Sequence, residues 1–249
     1  MLTLAHHSGP TSDFEFEALR EARNYRAAIV REFGSFLRGS VLEVGAGIGQ
    51  MTGLLRDLPT VRRLVALEPD GEFCRRLVQS LPGQATIQGT AQAISRESEW
   101  DSILSINVLE HIEADDAELA CYSRLLQNRR GVLCLLVPAR PEIYAPIDRD
   151  FGHFRRYTRG GLATKLLTVG FDIVRLHYFN LVGYAAWWLG FKVLRQRQFR
   201  VSSVRLFDRM IFPAAHALES RLCRPPIGQS LIAIARARRS ATVRRQGPR

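Results

Sequence analysis

Apolar positions along this chain follow two spacings that predict different elements. Unbroken apolar runs, such as those at 41–44 and 131–137, are typical of buried strands, whereas apolar residues three or four apart at 14–37 predict an amphipathic helix. Further strands are predicted at 61–67, 85–88, 101–106, 171–177 and 230–234, and helices at 48–58, 71–79, 114–127 and 160–169. This alternation predicts an α/β fold with a doubly wound, Rossmann-like and mostly parallel seven-stranded sheet.

The alternation stops in the last quarter of the chain. Residues 181–194 carry one charge, Lys192, and the stretch is too short to span a bilayer. A second amphipathic stretch covers 201–212, and we expect Pro213 to kink or end it. The sequence therefore predicts an α-helical insert before the last strand.

These patterns divide the chain into five parts. A ligand-binding core of alternating strands and helices is expected over 14–180 and is completed by a final strand at 228–236. The helical insert, which could act as a lid, occupies 181–227. A flexible N-terminus at 1–13 and a basic tail at 237–249 are expected to flank them.

Composition and charge narrow the class of protein. With 249 residues, 46% of them apolar, the chain has enough material for a buried core, which excludes a disordered or multi-span membrane protein. The net charge of +11 is unevenly distributed, since residues 1–150 carry −5 and residues 151–249 carry +16. A basic half indicates an anionic partner, such as a phosphate group, an acidic lipid or a nucleic acid.

The four cysteines lack the paired spacing of a zinc finger or a redox motif. The first residues show no basic stretch ahead of an apolar run, so no signal peptide is expected. We therefore expect reduced thiols and a cytoplasmic location.

A glycine-rich turn follows the first predicted strand and opens a helix. Gly45, Gly47 and Gly49 allow a ligand to approach the backbone closely, and Glu68 ends the next strand, where a carboxylate can bind ribose hydroxyls. Glu43 precedes the turn and would repel a pyrophosphate, but it suits the positive charges of S-adenosylmethionine (SAM). The alternative is a tight strand–helix turn with an incidental acid.

With these motifs the sequence resembles class I SAM-dependent methyltransferases, in the small-molecule, ubiquinone-biosynthesis-like (type 11) branch. The resemblance implies that Tyr25 reaches the methionine carboxylate, although a core tyrosine on an amphipathic helix is the alternative. It also implies that Thr90 stands where many relatives have aspartate. The cofactor-binding residues implied by the resemblance are Tyr25, Glu43, Gly45, Ala46, Gly47, Glu68, Pro69, Thr90, Ala91, Asn107 and Val108.

Residues 152–158, Gly-His-Phe-Arg-Arg-Tyr-Thr, resemble the signature of a subset of bacterial methyltransferases with largely unassigned acceptors. We predict His153 as a general base or acceptor clamp, with Arg155 and Arg156 binding an anionic acceptor and Tyr157 beside them. His111 is the other candidate base. The alternative is a helix start capped by Thr158, with its arginines solvated or paired to Asp148 and Asp150.

These residues predict methyl transfer from SAM to an oxygen or nitrogen of a small molecule, with lipid- or saccharide-linked acceptors among the candidates. No ligand spacing for a metal is visible, so no metal site is predicted. The first alternative is a nucleic-acid methyltransferase, but the chain lacks the Asn/Asp-Pro-Pro-aromatic and Pro-Cys motifs of those enzymes, so no nucleic-acid partner is expected. The second alternative is a non-catalytic partner protein with this fold.

The insert has three candidate roles. Its tryptophans, Trp187 and Trp188, and the arginines that follow suit peripheral contact with an anionic membrane, such as the inner membrane face. A soluble lid over the acceptor and a homodimer contact are the alternatives.

Overall fold

The computed structural model describes residues 20–95, 97–197, 200–222 and 225–239. Within these ranges, strands and helices alternate as far as the sixth strand. The strands are β1 (Gly39–Val44), β2 (Val61–Glu68), β3 (Ala85–Gln88), β4 (Ser102–Ile106), β5 (Val132–Pro138), β6 (Phe171–Phe179) and β7 (Ser230–Ala237). The helices that precede the insert are α1 (Arg23–Phe33), α2 (Gln50–Arg56), α3 (Gly71–Ser80), α4 (Asp115–Gln127), α5 (Pro146–Asp150) and α6 (Arg159–Thr168).

The seven strands form one sheet in the order β3-β2-β1-β4-β5-β7-β6. The neighbouring pairs from β3 to β5 are parallel, whereas β7 runs antiparallel to both β5 and β6. The predicted α/β class and mostly parallel seven-stranded sheet are therefore confirmed. Because β5 is buried at every position, it forms the centre of the core, with apolar clusters on both faces of the sheet.

The predicted boundaries differ from the observed ones mainly at turns. The first helix was expected to reach residue 37, but α1 ends at Phe33 because Gly34 adopts a positive φ of 39° and a short 3₁₀ turn follows. Gly39, the glycine that follows the predicted helix, instead starts β1 and donates its backbone N–H to the carbonyl of Thr60 (2.8 Å). Helix ends marked by glycine are thus recognisable from sequence, but which glycine ends the helix is not.

Within its described residues, the insert contains three α-helical segments, α7 (Leu181–Trp187), α8 (Val201–Leu206) and α9 (Phe212–Leu222). A π-helical stretch, Trp188–Val193, continues α7, and another, Phe207–Ile211, joins α8 to α9. Of the two effects expected of Pro213, a kink or an end, the helix end is not observed, since Pro213 is the second residue of α9. The wider π turn before it removes the regular i→i−4 pairing that a proline would break.

Two predicted segments fall partly or wholly outside the described residues: the N-terminus at 1–13 and most of the basic tail. Ala237, assigned to that tail, pairs with Phe171 at the end of β7. Cys74, Cys121 and Cys134 are buried and form no disulfide, and Cys223 lies outside the described residues. Every helix within the described ranges is too short or too polar to span a bilayer.

Candidate active site

The glycine-rich turn at the end of β1 is held against β2 and β4. The backbone N–H groups of Gly45 and Ala46 both donate to the carbonyl of Leu67, at 2.8 and 3.1 Å. Gly45 has a φ of 72°, and a Cβ there would lie 2.3 Å from Cγ2 of Val108. Gly47 also has a positive φ, 55°. The turn therefore requires glycine at position 45 for both conformation and space.

Glu68 links the end of β2 to this turn. Its Oε2 accepts a hydrogen bond from the backbone N–H of Gly47 (2.7 Å), and its Oε1 accepts one from Asp70 (2.9 Å), the residue that follows Pro69. The side chain is buried. Because a carboxylate has about four acceptor positions, Glu68 can also accept bonds from two ribose hydroxyls.

Glu43 is a buried carboxyl group at the bottom of the same turn. It is 3% exposed, and its Oε2 has no hydrogen-bond partner among the described residues. Burial, with a smaller contribution from the nearby Glu68, raises the pKa of Glu43 to about 8. Burying a carboxylate is costly unless a cation is close, and in the described part of the chain no cationic side chain lowers the pKa of Glu43. The ammonium and sulfonium of SAM would supply positive charge, so the residues present fit this cofactor.

The other predicted cofactor-binding residues lie on neighbouring strand ends. Thr90 has an extended backbone before a short 3₁₀ turn, and Ala91, the first residue of that turn, is fully buried. Asn107 follows β4 with a positive φ of 51°, a conformation that asparagine tolerates better than most residues. These positions meet at the carboxyl edge of the parallel strands, where open α/β sheets bind ligands.

A cavity of about 500 Å³ opens beside this edge, underneath the insert. Core residues and insert residues share its lining, and β7 contributes Ser230. Residues of the core that line it include Tyr25, Asn107, Glu110, Phe151, His153 and Arg156. Insert residues that line it include Trp187, Phe191, Arg200, Phe207 and Asp208. The insert therefore covers a pocket of small-molecule size that adjoins the cofactor edge.

His153 is held at the cavity wall by Asp148. Its Nδ1 lies 3.0 Å from Oδ1 of Asp148, and its Nε2 is buried without a hydrogen-bond partner in the part of the chain that the structure describes. Burial alone would raise the pKa of Asp148, but the hydrogen bond to His153 and the guanidinium of Arg156 outweigh it and lower this pKa. The ionised Asp148 therefore fixes the orientation of the His153 ring.

Arg156 is committed to this same carboxylate. Its Nε donates to Oδ1 of Asp148 (2.8 Å), its Nη1 donates to the carbonyl of Ala139 (3.1 Å), and its guanidinium lies 4.4 Å from the ring centre of Trp187. The pairing to Asp148 is the one that the alternative interpretation of the signature predicted. Arg156 thus lines the cavity with its charge already balanced.

Arg155 and Tyr157 point towards Asp115 instead of the cavity. Arg155 forms an ion pair with Oδ1 of Asp115 (2.7 Å), and the Tyr157 hydroxyl donates to Oδ2 of the same carboxylate (2.9 Å). Burial raises the pKa of Tyr157 far above its usual range. Neither residue is part of the cavity lining, so the structure places both in the support of the signature segment.

His111 packs against His153 with the ring centres 4.7 Å apart and nearly perpendicular planes. Burial, together with His153, lowers the pKa of His111 to about 3 although the carbonyl of Phe151 accepts a hydrogen bond from its ring. Its imidazole is therefore neutral at physiological pH. It could act as a lone-pair donor, but it is a weaker base than an ordinary histidine.

Tyr25 also lines the cavity. Its hydroxyl lies 3.5 Å from Oγ of Ser230, its ring packs against Phe179 and Phe212, and burial raises its pKa. Asp208 was not expected at the site from its sequence context; it is a buried acid of the insert that accepts hydrogen bonds from the backbone N–H groups of Asn24 and Tyr25, both at 2.9 Å. Asp208 is one of three acids after residue 150, which is the signal that could have revealed it.

Comparisons with known proteins agree with this geometry. A family model described as a methyltransferase domain matches residues 16–176. No curated protein matches the chain. Among solved structures, a SAM-dependent methyltransferase from Archaeoglobus fulgidus has a TM-score of 0.58 and 16% identity, with 90% of this chain and 98% of that chain covered.

Two more structures show the same fold. A SAM-dependent methyltransferase from Mesorhizobium loti has a TM-score of 0.56 and 14% identity, covering 84% of this chain and 96% of that one. Magnesium protoporphyrin IX methyltransferase from Synechocystis, with bound S-adenosylhomocysteine, has a TM-score of 0.53 and 14% identity, covering 92% and 86%. The cofactor predicted from Glu43 and the glycine turn is thereby confirmed, and the chain belongs to the methyltransferase-domain family of SAM-dependent enzymes.

Proposed function

We propose that this protein transfers a methyl group from SAM to an oxygen or nitrogen of a small molecule bound in the cavity under the insert. The observation that carries the proposal is the continuity of that cavity. Asn107 at the cofactor edge and His153 of the signature segment line the same space. An acceptor there would lie between the cofactor and a histidine.

The roles of the residues follow from their positions. Bound SAM supplies an activated methyl group, so the protein must align the acceptor, exclude water and assist loss of its proton. We assign the binding of the cofactor's positive groups to Glu43 and of its ribose to Glu68. The insert excludes water, and His153, oriented by Asp148, accepts the acceptor's proton.

We expect an arginine other than Arg155 and Arg156 to bind the charged group of the acceptor. Arg156 is neutralised by Asp148 and Arg155 by Asp115, whereas the exposed Arg200 lines the cavity on the insert side. We propose that Arg200 binds an anionic group of the acceptor. A phosphate or carboxylate carried by a lipid or a saccharide would place that group at the cavity mouth.

Calorimetric titration with SAM tests the cofactor site. Replacing Glu68 by alanine should weaken binding about tenfold to 150-fold for each ribose hydrogen bond lost, since a hydrogen bond to a charged group contributes about 1.5–3 kcal/mol. Glu72→Ala on the exposed start of α3 is the matched control and should bind SAM as the parent does. Unchanged binding by Glu68→Ala would remove the ribose assignment, and tighter binding of NADH than of SAM would overturn the proposal.

The raised pKa of Glu43 predicts a pH dependence of SAM binding. Below pH 8 the carboxyl group is mostly protonated in the free protein and must lose its proton to attract a cation, so affinity should rise about tenfold per pH unit between pH 6 and 7.5. The ammonium of SAM stays mainly charged in this window. Glu43→Gln should bind weakly with little pH dependence, and a flat profile in the parent would contradict the assignment.

A further inference from the structure

Three side chains that could ligate a metal meet at the cavity wall. One ligand atom each of Glu110, His111 and His153 lies within 4.8 Å of the other two. Glu110 and His111 are adjacent in the short 3₁₀ turn after β4, whereas His153 comes from the signature segment. The backbone N–H of Phe154 donates to the carbonyl of Glu110 (2.8 Å), and this bond holds the two segments together.

Both imidazoles carry the outer hydrogen bonds that are typical of metal ligands. Nδ1 of His153 is bonded to the carboxylate of Asp148, which leaves Nε2 as the nitrogen available to an ion. The ring of His111 donates a hydrogen bond to the carbonyl of Phe151 through one nitrogen, which leaves its other nitrogen available to an ion. A carboxylate or carbonyl that accepts a hydrogen bond from one ring nitrogen of a histidine fixes the tautomer and makes the other nitrogen a stronger metal ligand.

We propose that Glu110, His111 and His153 bind a divalent transition-metal ion, with Asp148 as the positioning residue of His153. Two imidazoles and one carboxylate are the donor set of catalytic zinc and related sites, which keep a further position open for substrate. Metal–ligand bonds of about 2.0–2.1 Å in a tetrahedral site place the ligand atoms roughly 3.4 Å apart. Side-chain rotations that move these atoms by about 1 Å would therefore bring them into position around an ion.

The inference rests on the proposed function and assigns His153 a second role within it. Because Glu110 and His153 both line the acceptor cavity, an ion held by them would be accessible to an acceptor bound there. There it would bind the acceptor's oxygen or nitrogen and lower the pKa of that group, so that the proton leaves to solvent while Nε2 of His153 holds the ion. Without an ion, Nε2 accepts the proton itself.

Titration of the chelator-treated full-length protein with Co²⁺, followed by visible absorption, and with Zn²⁺, followed by calorimetry, tests the proposal. Neither SAM nor an acceptor is present. We expect one ion per chain, and we expect Mg²⁺ to bind much more weakly because it prefers oxygen ligands. All variants carry His6→Ala and His7→Ala, which remove two adjacent imidazoles near the N-terminus.

The variants distinguish this site from others. His111→Ala/His153→Ala should abolish the Co²⁺ spectrum, and Asp148→Asn should weaken Zn²⁺ binding about 10–100-fold. His177→Ala on β6 should bind as the parent does. SAM titration of each variant shows, independently of metal binding, whether the protein is folded and its cofactor site intact. Absence of stoichiometric Co²⁺ or Zn²⁺ binding in the parent, or unchanged binding in the double variant, would overturn the metal site while leaving the methyltransferase proposal to the SAM data.

Discussion

Replacing His153 by alanine is expected to lower turnover by about 10²–10⁴-fold while leaving SAM affinity unchanged. The residue lies in the acceptor cavity, oriented by Asp148, whereas the acids assigned to SAM are Glu43 and Glu68 at the ends of β1 and β2. Turnover is measured as transfer of labelled methyl groups from SAM into lipid and small-metabolite extracts. SAM affinity is measured by calorimetry.

Phe154→Ala is the matched control, because this neighbouring side chain is 48% exposed and is not part of the cavity lining. Added imidazole should restore part of the activity of the His153 variant if the ring acts on a proton or an ion. An unchanged rate in the His153 variant would contradict its assigned role and leave alignment as the main contribution. A fall in SAM affinity of the same size would show that the residue supports the cofactor site.

The base and metal-ligand roles of His153 predict the same loss of rate but different metal responses. If His153 only accepts a proton, chelator treatment of the parent should leave the rate unchanged. If it holds an ion with Glu110 and His111, the same treatment should lower the rate, and Zn²⁺ or Co²⁺ should restore it. The titrations without cofactor decide between these roles independently of any acceptor.

Local chemistry explains why the sheet could be predicted from sequence. Apolar runs and glycines identified all seven strands, and the range of β3 was predicted without error. The antiparallel position of β7 between β5 and β6 was not predicted from the residues, because it depends on pairing between segments far apart in the chain. The glycine turn with Glu43 was informative since its conformation and its charge are both local properties.

Contacts between residues far apart in the chain determine the parts of the site that could not be predicted from the sequence. The signature segment suggested four side chains around an acceptor, but Arg155 and Tyr157 instead meet Asp115, about 40 residues earlier in the chain. The Glu110, His111 and His153 cluster joins positions 42 residues apart, so no ligand spacing reveals it. Residue types predicted a reactive segment, and only the fold determines which of its side chains face the cavity.

The second large effect concerns the surface of the insert. Eight of the thirteen large apolar side chains that are exposed in the described ranges belong to the insert, a concentration that is unusual for a surface in water. They are Trp188, Leu189, Val193, Leu194, Leu206, Met210, Ile211 and Leu218. Arg195, Arg200 and Arg209 are exposed on the same segments. We propose that this apolar and basic surface rests on an anionic membrane, which would bring a lipid-linked acceptor to the cavity.

We expect the protein to co-sediment with vesicles of acidic lipid at low salt and to be released at 1 M salt. Each basic residue near an anionic surface contributes about 1 kcal/mol, and screening shortens to about 3 Å at 1 M. Neutral vesicles should bind it much more weakly.

The two neighbouring tryptophans provide a matched pair of variants. Trp188 is 48% exposed, whereas Trp187 is buried against Arg156 and Phe191. Trp188→Ala combined with Met210→Ser should therefore weaken vesicle binding, because both side chains would enter the headgroup region. Trp187→Phe should leave vesicle binding unchanged and alter the cavity. Absence of binding to acidic vesicles at low salt would discard the membrane contact, and a dimer in sedimentation velocity that the Trp188 and Met210 changes dissociate would assign this surface to a second copy of the chain.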